Sequence, residues 1–267
     1  MIRAFIDRYC APKIEIPTAV SLSVSIAVGV LILGVWSAAT YGELVSTRFL
    51  PTPHEVVLAA IKLSEDGSLF VHIWASLRVV LTGFVLSSVA AMPLGILMGS
   101  FRIVQAAMEP VMNFVRYLPV TSMIPLLILW VGIGFEQKIA VIFIGTFFQQ
   151  IIMFADVSAQ VSKDMVNVSY TLGASRPQVV SRVLVPATLP GVMDTLRVTM
   201  GWAWTYLVVA ELVAANSGLG YLSLQAMRGL RVDIIFLAIL VIGLLGLTTD
   251  AIFRALRKLL LPWAGET

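Results

Sequence analysis

Long apolar stretches without a charged residue decide the environment in which this chain can fold. Residues 20–39 and 79–101 contain no Asp, Glu, Lys or Arg, and a membrane-spanning helix needs about 20 such residues. Of the 267 residues, 12% are charged and 59% are apolar, whereas a water-soluble domain carries roughly 25% charge. The sequence therefore predicts an integral membrane protein. Disorder is excluded, because it requires low hydrophobicity.

Four further apolar segments complete the predicted set of spans. The third contains Arg116, Pro119 and Pro125, and the fifth contains Arg197 and Glu211. We predict an all-α polytopic membrane protein with about six transmembrane helices, at residues 20–41, 78–101, 105–134, 138–155, 191–213 and 233–254. These form a transmembrane domain at 20–261, between a cytoplasmic N-terminal segment at 1–19 and a cytoplasmic tail at 262–267.

Basic residues in the connecting segments predict the orientation of the chain. With the N-terminus inside, the cytoplasmic segments hold ten Lys or Arg residues and the outer segments hold five. Because basic residues accumulate in cytoplasmic loops, both termini are predicted to be cytoplasmic. The same bias accounts for the net charge of +3, so this charge does not indicate a nucleic-acid partner.

The sequence lacks the motifs that would give the chain a chemistry of its own. There is no G-x-x-x-x-G-K-[ST] motif to bind ATP phosphates, and no H-E-x-x-H or G-x-S-x-G motif. Cys10 is the single cysteine, and two histidines are too few for a His-rich metal site. We predict no enzymatic activity, no catalytic residue, no metal and no cofactor.

The long predicted cytoplasmic connection, residues 156–190, has the pattern of two short helices around a glycine. The first helix, residues 164–172, is expected to end at Gly173, since glycine readily adopts the left-handed conformation after a helix. Ser175 and Gln178 have the spacing of a capping box at the start of the second helix. Pro177 falls in the first turn, where its missing N–H does little harm.

The second helix is expected to end at Pro186 and Pro190, before the fifth span. Four apolar residues share one narrow face beside basic residues. They are Val179, Val180, Val183 and Leu184. An exposed apolar face on a loop is a plausible docking surface for another protein. The alternative is an amphipathic hairpin that lies on lipid headgroups, and the spacing leaves both interpretations open.

This connection resembles the cytoplasmic E-A-A-x3-G-x9-I-x-L-P motif of the permease subunits of bacterial ABC importers. Gly173, nine residues and then the segment 183–186 match its second half, with valines in place of Ile and Leu. The E-A-A positions fall on Asn167, Val168 and Ser169, so the acidic residue is missing.

The resemblance extends over about residues 20–265. It points to the branch of the family that carries nitrate, sulfonates, taurine and bicarbonate. Other matching segments are 50–53, 76–78, 93–95, 130–134, 210–211, 218–220 and 261–263.

The resemblance implies a MetI-like permease fold in the bacterial inner membrane, with a coupling helix that docks on an ATPase. The implied ATPase-coupling residues are Asn167, Ser169, Leu172, Gly173, Ala174, Ser175, Arg176, Val183 and Pro186. The implied partners are a second copy of the permease, two cytoplasmic ABC ATPase subunits that bind ATP and Mg, an extracytoplasmic solute-binding protein and the lipid bilayer.

Charged residues inside predicted spans need a partner or a water-lined cavity. Arg116, Arg197 and Glu211 could therefore line a path for an anionic solute, or could form structural pairs near the span ends. The residues that we expect along a translocation path are Arg116, Pro119, Gln149, Trp202 and Glu211. The alternative for Gln149, and for Gln150 next to it, is that they hydrogen-bond between helices, which we favour over contact with the solute.

The expected solute is a small anion, with taurine or an alkanesulfonate favoured and nitrate, bicarbonate or an aromatic acid still open. An ATP-independent solute channel or secondary transporter is the alternative from another class. A non-transporting membrane scaffold is a third possibility, although it would not need a span interrupted by prolines.

Overall fold

The computed structural model describes residues 16–264, and every regular element within them is a helix. In chain order these are α1 (Thr18–Tyr41), α2 (Pro53–Glu65), α3 (Ser68–Ser100), α4 (Arg102–Val115), a 3-10 turn (Val120–Met123), α5 (Ile124–Val131), α6 (Phe135–Ala159), α7 (Lys163–Thr171), α8 (Arg176–Val179), a π-helical segment (Val180–Leu184), α9 (Val185–Ala214), α10 (Leu219–Arg228) and α11 (Val232–Leu260). The all-α prediction is confirmed. Cys10, most of the predicted N-terminal segment and residues 265–267 of the tail lie outside the described residues.

Five helical segments are long and apolar enough to cross a membrane, and the sixth predicted span is broken. Helix α4 and the segment Val120–Val131 are long and apolar enough to cross a membrane only when they are taken together, and they meet at a bend of 77°. Pro119 adopts an extended conformation at the break. A proline also disfavours helical geometry in the residue before it and donates no backbone hydrogen bond, so the helix is interrupted here. The sequence predicts one span over 105–134, whereas the structure has two short helices that meet at a bend.

Helices α3 and α6 pack with their backbones almost in contact. A stripe of small residues repeats every four positions along α3, namely Gly83, Ser87, Ala91, Gly95 and Gly99. A methyl group at Gly95 would lie 2.5 Å from Phe154 Cβ, and one at Gly99 would lie 2.1 Å from the Ala155 carbonyl oxygen. Small residues at this spacing let membrane helices approach closely, so packing explains Gly95 and Gly99.

A buried polar network joins α3, α6 and α9. The Gln150 carboxamide is fully buried. Its oxygen accepts a hydrogen bond from Ser87 Oγ at 2.8 Å, and its nitrogen donates to Ser88 Oγ at 3.0 Å and to Thr199 Oγ1 at 3.1 Å. The predicted interhelical role of Gln150 is confirmed. Both polar atoms of the carboxamide therefore have hydrogen-bond partners, as buried polar groups generally do.

The helix that begins at Arg176 does not end at Pro186 or Pro190, so that prediction was wrong. It runs through the π-helical segment into α9, and Arg176–Val213 forms a single 38-residue span. Pro186 lies in the first turn of α9, directly after the π-helical segment. A π turn is wider than an α turn, which leaves room for a proline ring that would clash in an ordinary helix. Pro190 is accommodated at membrane depth, where neighbouring groups can satisfy the freed carbonyl.

Helix α1 contacts the rest of the bundle near its C-terminal end. Trp36 Nε1 donates to the Pro51 carbonyl oxygen at 2.8 Å, and its ring stacks on Phe236 of α11 at 6.0 Å. The short helix α2 buries Val56 and Ala59 beside the same part of α11. These contacts place α1 and α2 at the edge of the bundle, with α3, α6 and α9 at its centre.

Candidate translocation and coupling sites

A cavity of about 390 Å³ lies beside the break between α4 and α5. Three of the five predicted path residues line it, with Arg116 at the end of α4, Gln149 on α6 and Trp202 on α9. Pro119 forms the bend between two further lining residues, Leu118 and Val120. The cavity therefore brings together side chains from three elements that are far apart in sequence.

Arg116 carries the positive charge of this cavity. Its Nη2 donates to the Tyr117 hydroxyl at 3.0 Å, and its guanidinium carbon lies 4.8 Å from the centre of the Tyr117 ring. Its Nε is buried without a hydrogen-bond acceptor. Within residues 16–264, no carboxylate forms an ion pair with Arg116. A cation in this state attracts an anion, because a charge-assisted hydrogen bond would satisfy both groups.

The rest of the cavity wall is largely apolar and aromatic. Phe148, Trp202 and Tyr206 contribute rings, and Gln149 and Thr205 contribute polar groups. No Asp, Glu, His or Cys is among the described lining residues. The arrangement can bind a small anion with an apolar portion.

Glu211 lies outside this cavity and connects three helices. Its carboxylate is fully buried and accepts hydrogen bonds from Ser76 Oγ on α3 and from the Gly220 N–H on α10, each at 2.8 Å. Ser76 Oγ in turn accepts from the Leu219 N–H at 2.8 Å. A methyl group at Gly218 would lie 2.1 Å from the Glu211 carboxylate. This geometry supports the structural interpretation of Glu211 and explains why glycines follow it.

Arg197 pairs with Asp250 of α11 instead of reaching the cavity. Its Nε donates to Asp250 Oδ1, and Arg254 approaches the other oxygen at 3.1 Å. This is the structural pairing that the sequence left open for Arg197. The sequence analysis did not identify Asp250 as the partner of Arg197. The one signal in the sequence was that Asp250 is an isolated acidic residue near the end of the last predicted span.

The predicted helix–glycine–helix arrangement of the connection at residues 156–190 is confirmed. Helix α7 ends at Thr171, and Gly173 adopts a left-handed φ of 85° with open space around it. The Ser175 N–H donates to Gln178 Oε1 at 2.8 Å, as the capping-box spacing predicted. The turn at Gly173 therefore forms the exposed tip of the bundle at the end where α6 finishes.

The exposed apolar face of this connection lies on a different helix from the predicted one. Val179 is only 1% exposed, and Val180, Val183 and Leu184 are half-buried. That prediction was wrong because the second helix is the beginning of the long α8–α9 helix, whose apolar side packs inward. The exposed apolar residues belong to α7 and its last turn. They are Met165, Val168, Tyr170 and Leu172, the last of which is 83% exposed.

The residues that the resemblance assigns to ATPase coupling fall in two places. Seven surround the tip, namely Asn167, Ser169, Leu172, Gly173, Ala174, Ser175 and Arg176. Asn167 and Arg176 also line a groove of about 470 Å³ together with Arg102 at the start of α4. Val183 and Pro186 lie farther along, within the continuous helix.

A helical membrane bundle with one broken span, a cavity at the break and an exposed helix–turn–helix tip is the architecture expected of a membrane permease subunit. Residues 91–261 match the family described as the binding-protein-dependent transport system inner membrane component. The chain therefore belongs to this family of ABC importer permeases, as its motifs indicated. Membership implies a multi-pass inner membrane protein that works with an ATPase and a binding protein.

Similar proteins agree with this assignment. The chain is 39% identical over 214 residues to a probable ABC transporter permease protein of Brucella melitensis, covering 80% of this chain and 87% of that one. It is 31% identical over 255 residues to the taurine transport system permease protein TauC of Escherichia coli, covering 94% and 93%. It is 32% identical over 233 residues to the putative aliphatic sulfonates transport permease protein SsuC of Bacillus subtilis, covering 87% and 84%.

The fold also matches a solved structure. The bundle aligns with a chain of the MetNI methionine ABC transporter, described as inward facing, with a TM-score of 0.60 and 23% identity over 70% of this chain and 95% of that one. The MetI-like permease fold is therefore confirmed.

Proposed function

We propose that two copies of this chain form the membrane path of an ATP-driven importer for a small anionic solute. Taurine or an alkanesulfonate is the favoured class, and nitrate, bicarbonate or an aromatic acid is the alternative solute. The observation that carries the proposal is the Arg116 guanidinium, which faces the cavity without a carboxylate partner among the described residues. The relatives named for taurine and aliphatic sulfonates support the same class.

The chemistry of the cavity supports an alkanesulfonate in particular. A sulfonate offers three acceptor oxygens, which suits a guanidinium that has no carboxylate partner among the described residues. The rings of Phe148, Trp202 and Tyr206 can cover a short alkyl portion. A volume of about 390 Å³ falls at the small end of the range of roughly 300–1,000 Å³ for small-molecule sites.

The energy would come from a partner on the cytoplasmic side. In this proposal both termini and the tip around Gly173 are cytoplasmic, and the tip of each copy docks on one of two ATPase subunits. Leu172 is the natural anchor for this contact, because an exposed leucine gains most from burial in a partner groove. Closure of the ATPases on ATP would draw the two tips together and open the cavity alternately to each side. An external binding protein would deliver the solute.

The solute proposal is tested with the permease, its ATPase and its binding protein in proteoliposomes, using radiolabelled taurine. We expect Arg116→Gln to reduce ATP-driven uptake at least about tenfold, which is the effect of losing roughly 1.4 kcal/mol of binding. Arg228→Gln, which removes an exposed charge at the end of α10, is the matched control and should transport normally. Normal uptake by Arg116→Gln would contradict the assignment. Uptake driven by an ion gradient without ATP would instead favour a secondary transporter.

The coupling proposal has a separate test at the tip. Gly173→Val places a β-branched residue at a φ of 85°, a conformation that such residues rarely adopt. We expect the variant to fold but to lose the stimulation of ATP hydrolysis by the permease and the binding protein. Gly29→Val on α1, where a side chain meets open space, is the control. Normal uptake with Gly173→Val would count against docking at this turn.

A further inference from the structure

A second cavity lies at the end of the bundle opposite the tip. It has a volume of about 250 Å³ and is enclosed by the outer part of α3, the beginning of α6 and the loop after α9. The lining residues include Ala75, Arg78, Phe135, Lys138 and Ser217. The nearest α6 residues of the two cavities, Lys138 and Ile144, are six residues apart, so the cavities lie about 9 Å apart along the helix.

Lys138 is a buried cation that faces this cavity. Its side chain is only 6% exposed, and no hydrogen bond or ion pair satisfies its ammonium among residues 16–264. Glu211 attracts it through space, but the Glu211 carboxylate takes its hydrogen bonds from Ser76 and Gly220 instead. An ammonium group that faces a cavity without a hydrogen-bond acceptor gains a charge-assisted hydrogen bond when an anion enters.

Two further groups make the same cavity favourable for an anion. Helix α6 begins here after Gly134 with no side-chain cap, so the N–H groups of its first turn are free to bind an anion. Arg78 lies over the Phe135 ring at 5.3 Å and adds a second positive charge to the wall. Glu136, also in the first turn, lines a separate apolar groove with Val85 instead of this cavity.

Buried apolar side chains lie between the two cavities along α6. Val141 and Ile142 of α6 lie between Lys138 and the first α6 residues of the Arg116 cavity, and Ala210 of α9 packs beside Val141. All three side chains are fully buried. The two α6 side chains lie between the second cavity and the Arg116 cavity along the helix.

We propose that the Arg78–Lys138 cavity is an outer waiting site for a small anion with a sulfonate or carboxylate group. The proposal rests on the proposed function, since it assigns the same class of solute to a second position on the path. The volume suits one compact anion, and the depth of Lys138 favours a free solute over the side chain of a docked protein.

The test measures the local potential with thiol reagents. The full-length chain carries Cys10→Ser and Ala75→Cys, which places a single thiol in the cavity wall, and is reconstituted in liposomes without ATP. Two reagents of opposite charge are compared, methanethiosulfonate ethylsulfonate and methanethiosulfonate ethyltrimethylammonium. We expect the ratio of anionic to cationic labelling rates to be higher at Ala75→Cys than at Thr47→Cys, which is an exposed loop position at the same end of the bundle. Methanesulfonate should slow labelling of Ala75→Cys and leave Thr47→Cys unaffected.

Charge variants then identify the groups that bind the anion. Lys138→Gln and Arg78→Gln should each lower the ratio of anionic to cationic labelling at least about fivefold, the effect of one charge about 7 Å away even in water-like surroundings. Lys62→Gln, which removes an exposed charge on α2, should leave the ratio unchanged. Arg78 is exposed, so its variant keeps the test valid if Lys138→Gln does not fold.

The outcomes separate this site from the importer proposal. Absence of protection by methanesulfonate, or equal protection in both charge variants, overturns the waiting site even when ATP-driven uptake is normal. Protection with the expected charge dependence supports the site, whereas failure of ATP-driven taurine uptake in the complete complex overturns the importer proposal.

Discussion

Replacing Gly99 or Gly95 by alanine should separate helices α3 and α6 and destabilise the centre of the bundle. The methyl group of Gly99→Ala would lie 2.1 Å from the Ala155 carbonyl oxygen, and that of Gly95→Ala would lie 2.5 Å from Phe154 Cβ. Ordinary contacts need about 3.5–4.0 Å. The helices must therefore move apart by about 1 Å or more, since a carbonyl of the facing backbone cannot rotate away like a flexible side chain.

The expected cost is the balance of two effects. Overpacking a close-packed site costs typically about 1–3 kcal/mol, and a gap of about 1 Å along the stripe also removes a quarter to a half of the dispersion energy of the facing atoms. Alanine regains roughly 0.5–1 kcal/mol through its higher helix propensity. We expect the free energy of unfolding to fall by about 1–2 kcal/mol for Gly95→Ala and by more for Gly99→Ala.

The measurement is reversible unfolding of the purified full-length protein in mixed micelles, with helix content followed by circular dichroism during an SDS titration. Gly201→Ala is the matched control, because it lies in α9 with no atom within 4 Å of the added methyl group. If Gly99→Ala were as stable as Gly201→Ala, the inference that backbone contact holds α3 against α6 would be wrong.

Three further predictions concern single side chains. Glu211→Gln should lower the free energy of unfolding by about 1–3 kcal/mol in the same titration, because a buried charge-assisted acceptor is lost; unchanged stability would show that its bonds to Ser76 and Gly220 contribute nothing. Gln137 is fully buried with neither amide atom paired, so Gln137→Met should be at least as stable as the wild type in that assay, and a clear loss of stability would reveal a missing partner. Leu172→Asp should abolish stimulation of the partner ATPase with unchanged unfolding, since Leu172 is exposed; full stimulation would exclude it as the anchor.

Structural features that depend on residues close together in the sequence could be predicted from the sequence alone. Uncharged stretches of about 20 residues give spanning helices because the bilayer leaves no other way to satisfy the backbone. Gly173 and the Ser175–Gln178 spacing gave the turn and the start of the next helix for the same local reason. Arg116 was a good candidate because a charge next to Pro119 lies where a span must break.

Pairings across the bundle could not be predicted in this way. Ser76 and Glu211 are 135 residues apart, and Arg197 and Asp250 are 53 apart, so no local pattern connects them. The continuity of α8 and α9 was missed for a different reason. Proline rules describe an isolated α-helix, whereas here a π-helical segment precedes Pro186 and alters the geometry that the rule assumes.

The unbroken Arg176–Val213 helix has a mechanical consequence for the molecule. At 1.5 Å per residue, Thr199 lies about 35 Å from Arg176 and about 18 Å from Glu211. Thr199 is also where this helix is fastened to Gln150 of α6. A rigid rod that pivots there is a lever with arms of about two to one. In a lever of these proportions, an inward displacement of the Arg176 end is returned at the Glu211 end as an outward displacement of half the size.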